Sequence, residues 1–244
     1  MFKAMISTKT FMTLIEAIET IQHDAKLMYN SEGWATSVID GANAALCKIT
    51  LSKDAFNSYE AGEGDIGLDL VLIKQAKQFI TKYDIMKLEV KDGSNTLDLD
   101  FGDYTYKFNL ISTATMKKVP DPPTLSSTGE FIVKGSVFND AIKASALVST
   151  MASIVIDTNN VYVYAKDAAN EIKRTFTEEE ILFCNYQECE SLYSIDYLID
   201  ICKILKDYEI TVKTGTKFPV IFSCKFAEGC GDIVYLIAPR IPNT

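Results

Sequence analysis

The 244-residue chain is 48% apolar, enough to bury one large core or two of ordinary size, and it contains no run of eighteen apolar residues that would span a membrane. A formal charge of −9 argues against a uniformly basic nucleic-acid binder, so phosphate contacts would need lysines segregated onto one face. One histidine and six cysteines without a CxxC pair leave any His-based triad dependent on His23, give no zinc motif, and favour reduced thiols that pack as small hydrophobes.

The chain opens with "MFKAMISTKTFMTLIEAIETI", a short strand running into a helix whose Phe11, Leu14, Ile15, Ile18 and Ile21 recur at helical spacing. This segment is too polar for the core of a secretory signal, and the protein is expected inside the cell. His23 follows the helix and is expected at a surface or boundary. "LMYNS", "ATSVID" and "ALCKITL" are β-like, rich in alternating Val, Ile, Tyr and Thr, with the turn "SEGW" among them. The next helix is predicted over "LVLIKQAKQFITKY", with Leu72, Ile73, Ala76, Phe79 and Ile80 forming its apolar stripe and Lys74 and Lys77 one turn apart on another face. "MKLEVKD", "TLDLDF" and "YTYKFNLI" follow as strands, with "KDGSN" as a hairpin turn.

After "LIST" comes "MKKVPDPPTLSSTG", in which Pro120, Pro122 and Pro123 exclude helix and a central strand. Such a segment is either a plain spacer or, since proline stiffens it and it carries Met116, Val119 and Leu125, an exposed strap that can offer apolar side chains to a partner. The second half then repeats the first: "GEFIVKGSVFNDAIKASALVS" echoes the opening, and "LYSIDYLIDICKILKDYEITV" echoes "IGLDLVLIKQAKQFITKYDIMKLEV". The intervening "SIVIDTN", "VYVYAKD" and "EIKRTFT" recur as strands, as do "PVIFSCKF" and "DIVYLIA" at the end. Each half is β-α-β-β-β-β-α-β-β-β in outline, and the strap joins two copies of one α+β fold.

The duplicated half, the proline-bearing connector, "VIDGANAALCKITL" and the closing "YLIAPRI" together resemble the proliferating cell nuclear antigen (PCNA) sliding clamps, most of all their archaeal members. The likeness spans the whole chain; "LIAPRI" and "SLYSIDYL" are its most specific pieces, supported by "MFKA" and "AFNSYEA". It implies an α+β DNA-clamp fold of two similar domains, 1–115 and 130–244, with a connector at 116–129. It also implies a homotrimer closed as a pseudo-sixfold ring, helices inside and antiparallel sheets outside, threaded by duplex DNA without regard to base sequence. No catalytic residue, cofactor or metal is implied. The implied partners are DNA polymerase, a clamp loader, flap endonuclease, DNA ligase and other replication and repair proteins that dock short peptides with aromatic anchors. The implied setting is the cytoplasm or nucleoid of an archaeal-type cell, away from membranes.

By resemblance, Lys74, Lys77 and Lys203 stand where the family carries DNA-facing basic residues, and helical phase adds Lys143 and Lys206. The first helix departs from the pattern: after Lys9 it carries Glu16 and Glu19 and no cation. The family's partner groove maps onto Ile39, Asn43, Ala44 and Leu46, onto Met116, Val119 and Pro120 of the connector, and onto Pro219. Its last members are Leu236, Ile237, Ala238 and Pro239, with "RIPNT" as an exposed tail for partners to pair with. The subunit contact maps onto Tyr104, Tyr106, Lys107 and Phe108 on one side and Glu171, Lys173, Arg174 and Phe176 on the other. Two rivals stand beside this reading. One is a subunit of a heterotrimeric or viral clamp, favoured by the Lys-poor first helix. The other is an enzyme with Cys184 or Cys189 as nucleophile, against which stand the lack of a second histidine, a GxxxxGK[ST] loop or an HExxH motif.

Overall fold

Buried and open positions alternate along "FKAMIS", making Phe2–Ser7 a half-buried strand, β1, and the change to a 3.6-residue apolar period at Thr8 starts α1 (Thr8–Glu19). The computed structural model describes residues 1–117, 119 and 129–241. The chain divides into two compact units: Met1–Gly41, Leu46–Val119 and Lys225–Ile233 form the first, and Ala42–Ala45, Pro120–Cys224 and Val234–Thr244 the second. Among the described residues no helix is long and apolar enough to cross a membrane.

In the first half, α1 is followed by β2 (Asp24–Asn30), β3 (Gly33–Ile39), β4 (Ala45–Ser52), β5 (Phe56–Ala61) and β6 (Gly64–Asp69). Two short helices, α2 (Leu70–Gln75) and α3 (Lys77–Ile80), lead to β7 (Ile85–Val90), β8 (Thr96–Phe101) and β9 (Tyr104–Asn109). The strands make two antiparallel arrays, β5-β1-β7-β8-β9 and β4-β3-β2-β6. Phe11, Leu14, Ile15 and Ile18 of α1 are each at most 1% exposed, so the predicted stripe is core. Phe2 stacks on Tyr29 and meets Trp34 edge-on at 5.2 Å, adding a ring cluster at the start of β1.

The second half repeats this order with β10 (Gly129–Lys134), α4 (Gly135–Ala146), β11 (Met151–Ile156), β12 (Val161–Lys166), β13 (Glu171–Thr175), β14 (Ile181–Cys184) and β15 (Cys189–Ser194). Then come α5 (Ile195–Leu205), β16 (Glu209–Thr214), β17 (Val220–Phe226) and β18 (Gly231–Ile237). Its arrays, β14-β10-β16-β17-β18 and β13-β12-β11-β15, match those of the first half strand for strand. The core of unit 2 holds Phe131, Phe138 and Phe222, all fully buried.

Two expectations are corrected here. Five strands, not four, separate the helices of each half, the additional ones being β5 and β14. Both are outer strands paired to the first strand of their half, and their burial is too irregular to leave a two-residue alternation in the sequence. The second helix is also broken: Ala76, at ψ −8, divides α2 from α3. Leu72, in the first turn of α2, lies off the buried face and is 48% exposed, while Ile73, Ala76 and Ile80 are buried.

Candidate nucleic-acid and partner interfaces

The helices present the predicted lysines. Lys74 lies in the last turn of α2, where Asp69 caps the other end by accepting from the Leu72 N–H, and Lys77 begins α3. Both are ion-paired across to α1, Lys74 with Glu19 and Lys77 with Glu16. The two carboxylates are the sheltered partners, 15% and 22% exposed against 46% for each lysine. His23 is exposed at the end of this helix, its Nδ1 3.6 Å from Glu19. In unit 2, Lys143 of α4, Lys203 of α5 and Lys206 just beyond it are exposed. Among the described residues these three make no ion pair within 4.0 Å.

The expected partner groove is met in pieces. In unit 1, Ile39, Met116 and Val119 line one cleft of about 250 Å³ together with Ala25, Lys26 and Lys117. The strap is tied down on both sides of Met116: the Ile111 N–H donates to the Gly67 carbonyl at 3.0 Å, and Lys117 Nζ donates to the Asp40 carbonyl at 3.1 Å. Thr113 Oγ1 donates to Asp65 at 2.8 Å, and Lys26 pairs with the same carboxylate at 2.8 Å. Hydrogen bonds from Lys26 and Thr113 hold the Asp65 carboxyl below the usual carboxylate range. In unit 2, Asn43 is exposed at φ 57, and the carbonyl of Ala44 accepts from the Ala238 N–H at 2.7 Å.

Leu236, Ala238, Pro239 and Pro219 are half-buried. Ile237, 1% exposed, points inward from β18 as a core residue, whereas Leu46, 5% exposed, lies on the other face of β4 from Cys47 and Ile49, directly opposite Ile39 on β3. Arg240 of the expected tail is already bridged to Leu192, its N–H donating to that carbonyl at 2.6 Å, while Ile241 is exposed. Pro120 and the last three residues lie outside the described residues, as do Pro122, Pro123 and Leu125 of the strap.

Sequence reasoning missed what positions Pro219. Tyr193, fully buried, shares a hydrogen bond of 2.7 Å with Thr214 Oγ1 and donates to the Phe218 carbonyl at 2.7 Å, and burial pushes its hydroxyl pKa up to about 12. Ser191 Oγ donates to the Gly215 carbonyl and accepts from the Phe218 N–H. These groups fix the 215–219 loop from β15. The signal in the sequence is a tyrosine at an inward position of β15, two residues after the inward Ser191, and its buried hydroxyl calls for a partner.

The predicted contact strands are outer strands: β9 ends one array and β13 the other. Leu110 N–H donates to Asn95 and Phe176 N–H to Val161, so antiparallel alternation directs the backbone groups of Lys107 and Lys173 away from their own sheets. Tyr104 is 42% exposed, Tyr106 and Phe108 are half-buried, and Glu171 is exposed. Lys107 pairs with Asp98 at 2.7 Å, Lys173 lies over the Tyr162 ring at 3.7 Å, and Arg174 pairs with Glu180. Phe176 is corrected: it lies past the end of β13, 5% exposed, packed on Phe138 and Phe131 in the core of unit 2.

Among the described residues no cluster of His, Cys, Asp or Glu could hold a metal ion. Burial pushes the thiols of Cys184 and Cys189 up, away from the thiolate that a nucleophile needs.

The family profile for the N-terminal domain of proliferating cell nuclear antigen matches residues 1–119. The chain is similar to the DNA polymerase sliding clamp of Methanospirillum hungatei, 34% identical over 99% of each chain, and to that of Methanocorpusculum labreanum, 35% identical over 99% of each. Among solved structures it is similar to A. fulgidus PCNA bound to the C-terminal region of FEN-1, with a TM-score of 0.94 and 28% identity over 100% of both chains. It is likewise similar to PCNA from Thermococcus kodakaraensis, with a TM-score of 0.91 and 25% identity over 98% of this chain and 100% of that one.

Proposed function

The chain belongs to the proliferating cell nuclear antigen family of DNA polymerase sliding clamps, and we propose that it works as one by closing in threes around duplex DNA and tethering replication and repair enzymes to it. One observation carries the assembly. By the internal repeat, β18 is the counterpart of β9 and β4 that of β13. The end of β4 and the residues flanking β4 and β18 find backbone partners within the chain: Ser52 N–H to the Cys230 carbonyl in unit 1, and Ala238 N–H to the Ala44 carbonyl in unit 2. Their counterparts β9 and β13 are left as outer strands. The analogous pairing is open to them only with another copy, β9 of one against β13 of the next, a head-to-tail contact that generates a ring when the rotation closes.

Such a ring needs no chemistry of its own. The backbone of DNA attracts lysines without regard to sequence, so the exposed Lys143, Lys203 and Lys206 are the proposed contacts, while Lys74 and Lys77 already carry carboxylate partners, and encirclement supplies retention that weak contacts do not. An acidic exterior repels DNA and leaves the hole as its favourable location. The cleft of Ile39, Met116 and Val119 is the proposed seat for an apolar anchor of a partner peptide, and the complex of A. fulgidus PCNA with the C-terminal region of FEN-1 makes a flap endonuclease tail the first candidate. Sedimentation and electron-microscopic imaging of the purified protein test the assembly. A trimeric mass and annular particles are expected; solitary globules at high concentration would overturn it, and a monomer that assembles only with a different subunit would replace the homotrimer with a heterotrimer.

A further inference from the structure

Among the described residues, the ion pairs between α1 and the α2–α3 pair have no counterpart on the helices of the second half. Glu16 is the ninth residue of α1, and the ninth residue of α4 is Lys143; Glu19 closes α1 where Ala146 closes α4. One half therefore places carboxylates where the other has a cation and a methyl group. Those carboxylates are engaged with the two lysines that the first half would offer to a polyanion. The four side chains sum to zero charge, and the carboxylates are the more sheltered members, anchored on a helix whose opposite face is core. A phosphate approaching Lys74 or Lys77 meets an ammonium already neutralised and a fixed negative charge beside it.

We propose that Glu16 and Glu19 withhold Lys74 and Lys77 from duplex phosphates, so that the second half's Lys143, Lys203 and Lys206 carry more of the phosphate contact than the first half's helices do. This rests on the sliding-clamp reading above. Lys9 is the α1 cation left outside these pairs, and Lys82, over the Phe79 ring, is the one beyond α3. On the second half's helices Asp140, Asp196 and Asp200 are exposed, and none is ion-paired with Lys143 or Lys203 among the described residues. The device lowers the hold on DNA without removing the lysines: a ring retained by topology slides more readily when fewer phosphates have to be exchanged at each step.

The test is binding of the intact protein to a fluorescent linear duplex with free ends, by anisotropy, between 50 and 200 mM salt at fixed pH. K74Q/K77Q is expected to bind within about twofold of the parent, whereas K203Q/K206Q weakens binding and flattens the salt dependence by about 0.9 log units for each lysine that meets a phosphate. E16Q/E19Q is expected to bind more tightly and to steepen that dependence by about 0.9 for each released lysine that meets a phosphate, so its advantage over the parent shrinks roughly twelvefold across this salt range when one subunit's pair engages and further when the others do. Adding K74Q/K77Q to E16Q/E19Q should return binding to the parental curve, which separates release of these lysines from a general change in charge. Thermal melts close to the parent establish that each variant is folded. If K74Q/K77Q weakens binding as much as K203Q/K206Q does, or E16Q/E19Q leaves the slope unchanged while K203Q/K206Q flattens it, the withholding idea is wrong and the clamp reading stands. If the parent shows no salt-dependent binding and neither lysine pair matters, the duplex reading fails and this proposal falls with it.

Discussion

Tyr193 shows how much a single buried hydroxyl controls. Its ring is fully buried, and its hydroxyl serves Thr214 Oγ1 and the Phe218 carbonyl, so Tyr193→Phe leaves both without that partner. The variant should lose about 1–3 kcal/mol of stability, the cost of unsatisfied buried polar groups, and a urea midpoint equal to the parent's would show that the network carries no weight. Asp65 acts through charge. Lys26 and Thr113 depress its pKa, so its contribution is present above the unfolded value of about 4 and is lost as pH falls through the lower folded value. Asp65→Asn should therefore destabilise at neutral pH by a margin that closes in acid, and a margin constant with pH would refute the linkage. Asp98 beside Lys107 and Glu180 beside Arg174 are depressed in the same direction. The α1 stripe was legible because its partners lie within two turns. Asp65–Thr113 and Tyr193–Thr214 were not, because they join residues 48 and 21 positions apart that only the fold brings together.

At the scale of elements, the strap depends on a residue with no side chain. A Cβ built on Gly67 would lie 2.2 Å from the Ile111 carbonyl oxygen and 2.9 Å from Met116 Cε. Gly67→Ala must therefore push away the segment that carries Met116 and disturb the bond from Ile111 N–H to the Gly67 carbonyl. A destabilisation of about 1–3 kcal/mol and faster amide exchange at Ile111 are expected; parental exchange there would mean that the strap is not pinned at this point. The sequence shows that glycine only as part of "DIGLD", with nothing to mark which chain approaches it. The same limit explains β5 and β14, outer strands whose mixed burial erases the alternation that revealed β1, β3 and β4. The broken second helix was hidden for the opposite reason: its apolar spacing is regular, and the break at Ala76 lies in the backbone.

For the whole molecule, the question is whether β9 is an edge held in reserve for another copy. Lys107 offers a clean way to ask, because its N–H is directed away from β8 and proline there removes an outward donor without removing a bond to β8. The substitution also breaks the Lys107–Asp98 ion pair, so Lys107→Gln, which loses the charge but keeps the N–H, is the necessary control. That ion pair is exposed on the lysine side, 61%, and pairs of this kind contribute little to stability. Lys107→Gln is therefore expected to sediment with the parent as a trimer. Lys107→Pro should shift toward monomer, by tenfold or more in the assembly constant if the lost ladder bond costs about 1.4 kcal/mol at each contact. Because three equivalent contacts close the ring, the loss compounds and should be plain at micromolar concentration. If the proline variant assembled as the parent does, β9 would not be the edge through which copies meet, and the repeat argument that pairs it with β13 would fail.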